Sequence, residues 1–183
     1  MRRVTVPADR VALVGVGASS LALDLVGAGY ASIDAVDLSG AALDQLKLRL
    51  GAGSSSVRFV AADAREVRFD GKVDLWHDRA TLHFLNDRLD QAQYVARASE
   101  AVRFGGHLIV ATFGADGPEQ CSGLPVTRHT PESLKALFFE SFDLVDSSDV
   151  VHTTPWGSTQ AFTYAVFRRN DMNYTPDSGR AIS

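Results

Sequence analysis

The sequence predicts a Rossmann-like, doubly wound α/β sheet of seven strands, mostly parallel and ending in an antiparallel strand hairpin. Three observations predict it. Short apolar runs alternate with segments of helical periodicity along most of the chain. The first apolar run stops at a glycine-containing turn, Val14-Gly15-Val16-Gly17-Ala18-Ser19, which opens the first helix. The last two apolar runs, residues 142–151 and 161–167, have no helix between them and can pair directly.

Taken in order, Val11–Val14 is short, wholly apolar and reads as a buried strand. Residues 19–26 read as a helix, with Leu21, Leu25 and Val26 near one face and Gly27 and Gly29 ending it. Residues 32–36 form the second strand and end at Asp37. Ser39 is an N-cap for a helix over residues 40–50, and Gly51 to Ser56 reads as a loop. Residues 57–61 and 73–76 are the third and fourth strands, with room between them for about two helical turns at most. A helix is expected over residues 90–102, stopped by Gly105-Gly106, and residues 107–113 form the fifth strand. Thr130 caps a helix whose first position is Pro131. Residues 1–169 are expected to be one domain, and the polar stretch 170–183 a disordered tail.

Composition narrows the function. The chain has 183 residues, 45% hydrophobic and 22% charged, with a net charge of −4. Phosphate-based nucleic-acid binding needs a basic face, and no basic cluster is present. No apolar run approaches the roughly 18 residues of a membrane span, and no signal-peptide pattern follows Met1. A cytoplasmic protein is expected, bound to neither nucleic acid nor membrane. One cysteine, Cys121, allows no internal disulfide, and its spacing to His129 and His152 fits no local metal set, so no metal is expected.

The glycine turn has a chemical rationale. Glycine lets backbone approach a ligand closely, and a helix start offers free N–H groups to an anion. Asp37 and Asp63 each follow a strand, where ligands of doubly wound sheets sit. A nicotinamide-binding domain has a related pattern, G-x-G-x-x-G with an acid about 20 residues on. Ser20 stands where its last glycine belongs.

These motifs, with Asp74-Leu75-Trp76-His77-Asp78-Arg79 and Arg103-Phe104-Gly105-Gly106-His107-Leu108, resemble the class I S-adenosylmethionine-dependent methyltransferases across residues 11–169. The resemblance implies S-adenosylmethionine as cofactor and S-adenosylhomocysteine as product. It implies cofactor contacts from Gly15, Val16 and Gly17, from Asp37 and Leu38 around the ribose, and from Asp63 and Ala64 around the adenine. It places His77, Asp78 and His83 beside the methyl-transfer position as candidate catalytic groups, with a small-molecule nucleophile as acceptor. Trp76, Phe113 and Trp156 are candidate pocket walls, with core packing the commoner role for each. Alternatives are a degenerate binding module and, from a loose likeness of residues 76–81, a protein-lysine methyltransferase.

Two features depart from the family pattern. Leu13 replaces an acid that steadies the loop, and Val16 is bulkier than the usual residue between the two glycines. Only about ten residues precede the first predicted strand, fewer than the family's N-terminal helices need. Either a second copy covers an open site, or the chain is truncated, or the cofactor binds weakly.

Overall fold

A computed structural model of the chain describes residues 4–153, 157 and 159–171. Trp156 and residues 172–183 of the expected tail lie outside the described residues. The strands of the main sheet are β1 (Val11–Val14), β2 (Ile33–Asp37), β3 (Val57–Ala61), β4 (Val73–Arg79), β5 (Val102–Phe113), β8 (Phe142–Thr153) and β9 (Thr159–Arg169). A separate two-stranded hairpin, β6 (Gln120–Cys121) and β7 (Leu124–Pro125), lies between β5 and the last helix. The helices are α1 (Leu21–Gly27), α2 (Gly40–Leu50), α3 (Arg88–Ala101) and α4 (Pro131–Phe138).

The sheet order is β3-β2-β1-β4-β5-β9-β8. The first five strands are parallel, and β9 runs antiparallel between β5 and β8. The strand order reverses beside β1, so the loops leaving β1 and β4 diverge and open a crevice at their carboxyl ends.

Alternating side chains divide the core into two layers. On one face Ala12, Val14, Trp76, Leu108 and Val110 pack against Tyr94 and Ala98 of α3 and Leu134 and Phe138 of α4. On the other, Val11, Leu13, Ile33, Ala35, Leu75 and Ile109 pack against Ala22 and Leu25 of α1 and Leu43 and Leu46 of α2. With both faces covered, β1 is wholly apolar and buried.

The helix signals work as the residue types dictate. Ser39 accepts from the Ala42 N–H at the start of α2, and Gly51 leaves that helix at φ +54°. Thr130 and Ser133 close a capping box around Pro131. Helix α3 begins at Arg88, two residues before the expected start, because Asp87 accepts from the Leu89 N–H.

Other expectations are corrected. Gly105-Gly106 does not stop a helix: α3 ends at Ala101 and the glycines lie inside β5. There the β4–β5 register slips, with Val73 opposite Val102 but Leu75 opposite His107. A Cβ on Gly106 would stand 2.8 Å from the Asp74 carbonyl oxygen, so this bulge needs a residue without one. The segment Gly51–Ser56 forms a 3-10 turn, not a loop. No helix forms between β3 and β4, which is within the limit of about two turns set by the spacing. Cys121 lies in β6.

Candidate active site

A cleft of about 1030 Å³ opens at the carboxyl ends of β1, β2 and β4. This is at the upper end of small-molecule sites, which run to about 1,000 Å³, and accommodates a cofactor and an acceptor together. Its inner half is lined by Gly15 to Ser19, Asp37, Leu38, Asp63 and Ala64. Its outer half is lined by His77, Arg79, Phe84, Phe113 and Phe162, with Cys121, Leu124 and Pro125 of the small hairpin beyond them.

The inner half is built around two constrained glycines. Gly15 has φ +67°, and a Cβ there would lie 1.9 Å from the Thr81 Oγ1. The β1 and β4 exits are pressed together at this point, and only glycine allows it. Gly17 has φ +44° with open space where a Cβ would be, and its N–H donates to Asp37 Oδ2 at 2.8 Å. Asp37 Oδ1 accepts from the Ser39 N–H, also at 2.8 Å. The carboxylate thus ties the glycine turn to the end of β2, and each oxygen keeps a lone pair for a ribose hydroxyl. Helix α1 starts at Leu21, two residues later than expected. The Leu21 N–H is taken by Ser19 Oγ and the Ser19 N–H by the Val16 carbonyl, so two N–H groups expected to face a ligand anion are used locally.

Asp63 is gripped by a residue the sequence reading did not single out. Arg65 donates to Oδ1 through its backbone N–H and Nε, to Oδ2 through Nη2, and reaches Asp90 of α3 through Nη1. These hydrogen bonds hold the Asp63 carboxyl below its ordinary pKa. Oδ2 keeps acceptor capacity for an adenine amino group. The two departures from the family pattern are absorbed by packing. Leu13 and Val16, 3% and 5% exposed, both belong to the core beside α1 and also line the cleft.

The three candidate catalytic residues separate. β4 extends to Arg79, past the expected Trp76, so side-chain alternation governs this segment. Leu75, His77 and Arg79 share the cleft face, whereas Trp76 and Asp78 point toward α3. Asp78, a candidate catalytic group, is fully buried and does not line the cleft. Its carboxylate accepts from the Thr81 N–H (2.8 Å), the Leu82 N–H (3.0 Å) and the Tyr94 hydroxyl (2.6 Å), which itself accepts from Trp76 Nε1 (3.0 Å). Burial nevertheless raises the Asp78 pKa to about 6. This network turns the chain sharply after β4 and holds Ala80 at φ +70°. Trp76 is a core residue.

His83 does not line the cleft either. It is fully buried behind Phe84 and Phe113, and its Nδ1 accepts from the Phe113 N–H at 3.4 Å. Burial lowers its pKa to about 4. His77 does reach the cleft. Burial, with Arg79 adding repulsion, lowers its pKa to about 4 and leaves a neutral imidazole at neutral pH. Phe113 is a pocket wall, as one of its two expected readings had it. The signal for Arg79 was present in the sequence: a strand continued to residue 79 puts 77 and 79 on one face.

Among the described residues, no group of three or more metal-type side chains forms a site, and no helix is long and apolar enough to cross a membrane.

A glycine turn, two strand-end acids and a crevice beside β1 define an S-adenosylmethionine-type site in a methyltransferase-like sheet. The family model described as a methyltransferase domain matches residues 11–106, more than half of the chain, and the chain belongs to that family, the class I S-adenosylmethionine-dependent methyltransferases. It is therefore an enzyme of that class, with S-adenosylmethionine as cofactor. Solved structures share the fold. An S-adenosylmethionine-dependent methyltransferase from Methanosarcina mazei superposes with a TM-score of 0.77 at 14% identity, over 92% of this chain and 96% of that one. The 1,6-didemethyltoxoflavin N1-methyltransferase of Burkholderia thailandensis, solved with 1,6-didemethyltoxoflavin and S-adenosylhomocysteine, gives 0.72 at 24% identity, over 90% and 72%. The N-methyltransferase NodS of Bradyrhizobium japonicum, in complex with S-adenosylhomocysteine, gives 0.69 at 15%, over 90% and 80%. No curated protein sequence matches the chain.

Proposed function

We propose that this methyltransferase acts on a small-molecule nucleophile bound in the outer half of the cleft. One observation carries the reading: the cleft runs without a break from the glycine turn and Asp37 to a recess walled by Phe84, Phe113 and Phe162. That recess is roofed by the small hairpin. Asn86 Nδ2 donates to the Pro125 carbonyl at 3.0 Å, and Thr127 Oγ1 donates to Asn86 Oδ1 at 2.9 Å. A roofed aromatic recess suits a compact acceptor better than an extended chain.

When bound, S-adenosylmethionine supplies a methyl group on a sulfonium, already activated for in-line displacement. The residues then have three tasks. Gly15, Gly17 and Asp37 position the cofactor end of the cleft, and Asp63, oriented by Arg65, with Ala64 borders the adenine end. The three phenylalanines exclude water and hold the acceptor in line, which is where most of the rate is available. His77 offers a neutral imidazole to hydrogen-bond the acceptor at the transfer position. Asp78 and His83 shape this region from behind it, as positioning residues.

Incubating the enzyme and methyl-labelled S-adenosylmethionine with a cell extract tests the reading. Label is expected in the small-molecule fraction. Label confined to protein bands would overturn it. Calorimetry with S-adenosylhomocysteine tests the cofactor half. Asp37→Ala removes the anchor of the Gly17 N–H and the diol acceptor, and is expected to weaken binding at least about tenfold, the equivalent of one charged hydrogen bond. Unchanged affinity would remove Asp37 from the site.

A further inference from the structure

Charge is distributed unevenly along the cleft. Its only carboxylates among the described residues, Asp37 and Asp63, both lie in the inner half, and Arg65 neutralises Asp63. Among the described residues the outer half holds one formally charged side chain, Arg79. Arg79 is exposed and makes no ion pair among the described residues. Its guanidinium stands 5.6 Å from the Phe162 ring centroid, and Phe162 packs edge-on against Phe113 at 4.9 Å. The cation is thus placed beside a buried aromatic cluster at the cleft wall, with no anion among the described residues to satisfy it.

We propose that the acceptor is an aromatic anion, its ring against the part-exposed Phe84 wall of the cleft and its anionic group, a carboxylate in the simplest case, paired with Arg79 beside Phe162. This rests on the small-molecule reading above and specifies it. A guanidinium matches the two oxygens of a carboxylate with two parallel N–H donors, and aromatic faces accept both the ring and the cation's edge. Two of the other polar groups fit the same class. The Asn86 amide is engaged with the roof, and His77, held neutral, adds no second positive charge. An ammonium acceptor, free or on a lysine, would meet Arg79 with no outer-half carboxylate to receive it.

Ligand-observed saturation-transfer NMR on the protein saturated with S-adenosylhomocysteine tests this with matched probes, 1-naphthoate and 1-naphthylmethylamine. Naphthoate is expected to bind, and the amine at least tenfold more weakly. Arg79→Gln is expected to weaken naphthoate at least tenfold while S-adenosylhomocysteine affinity stays within twofold, which shows the fold intact. Arg79→Lys should restore part of the loss. Amine binding as tight as naphthoate binding, no naphthoate binding, or an Arg79→Gln protein that binds naphthoate as before would each overturn the assignment. Failure of S-adenosylhomocysteine to bind the unmutated protein is a separate result. It would remove the cofactor reading before the acceptor is in question.

Discussion

Asp78 is a charged residue enclosed by the protein's own donors. Its side chain has no exposed surface, yet it receives two backbone N–H groups and a tyrosine hydroxyl. Burial disfavours its ionised form and the three donors favour it; burial is the larger effect, hence the raised pKa. Removing the carboxylate would strand those donors. Asp78→Ala is expected to cost about 2–4 kcal/mol, read as a fall in the urea midpoint. Asp78→Asn keeps two acceptor lone pairs and should cost about half as much. A smaller effect for Ala than for Asn would show that the N–H groups find other partners. Arg65 works at the same scale. By gripping both Asp63 oxygens and reaching Asp90 it ties the end of β3 to α3 across a segment that lacks a helix.

At the scale of elements, the turn after β1 and the turn after β4 form one unit. Gly15 is where they meet, and the approach of Thr81 decides what position 15 tolerates. Gly15→Ala meets both a steric overlap and a left-handed φ, and is expected to destabilise by about 2–4 kcal/mol. Adding Thr81→Ala should recover the overlap but not the roughly 1 kcal/mol of backbone strain. A double mutant no more stable than Gly15→Ala would show that Thr81 is not the obstacle. Much of this unit was legible in the sequence. The strand–glycine–helix order, Asp37 at the end of β2, the Ser39 and Thr130 caps and the closing hairpin all follow from local chemistry, and they are where local chemistry places them. What was not legible depended on how far strands run. Ending β4 at Trp76 treats residues 77–79 as a loop, in which all three side chains can face a ligand. Continuing it to Arg79 imposes a period of two and sends Asp78 to the other layer. Gly105-Gly106 misled for a related reason: a bulge and a helix stop use the same residue, and only the partner strand distinguishes them. Arg65 was hidden because its two partners, Asp63 and Asp90, become neighbours only through packing.

For the molecule as a whole, the buried titrating groups on the α3–α4 side make stability depend on pH in two opposed ways. His83 has its pKa lowered from 6.5 to about 4 by burial, with repulsion from His129 second, and burial lowers His129 as well. Between pH 6.5 and 4 the unfolded chain therefore binds protons that the folded chain refuses, and stability falls as pH falls through that window. Asp78 acts in reverse. Its folded carboxyl takes a proton near pH 6 and its unfolded one near 3.8, so over that window acidification favours the folded state. From pH 7 to pH 5 the His83 contribution is about 2 kcal/mol of loss, and the Asp78 contribution about 1 kcal/mol of gain. The two can be separated by substitutions that keep the hydrogen bonds. His83→Asn retains an acceptor for the Phe113 N–H but does not titrate, so its urea midpoint should change less between pH 7 and pH 5 than that of the unmodified chain. Asp78→Asn removes the compensating gain, so its midpoint should fall more steeply over the same interval. Parallel profiles for all three proteins would mean that neither group is buried from solvent as the packing of β4 and β5 requires.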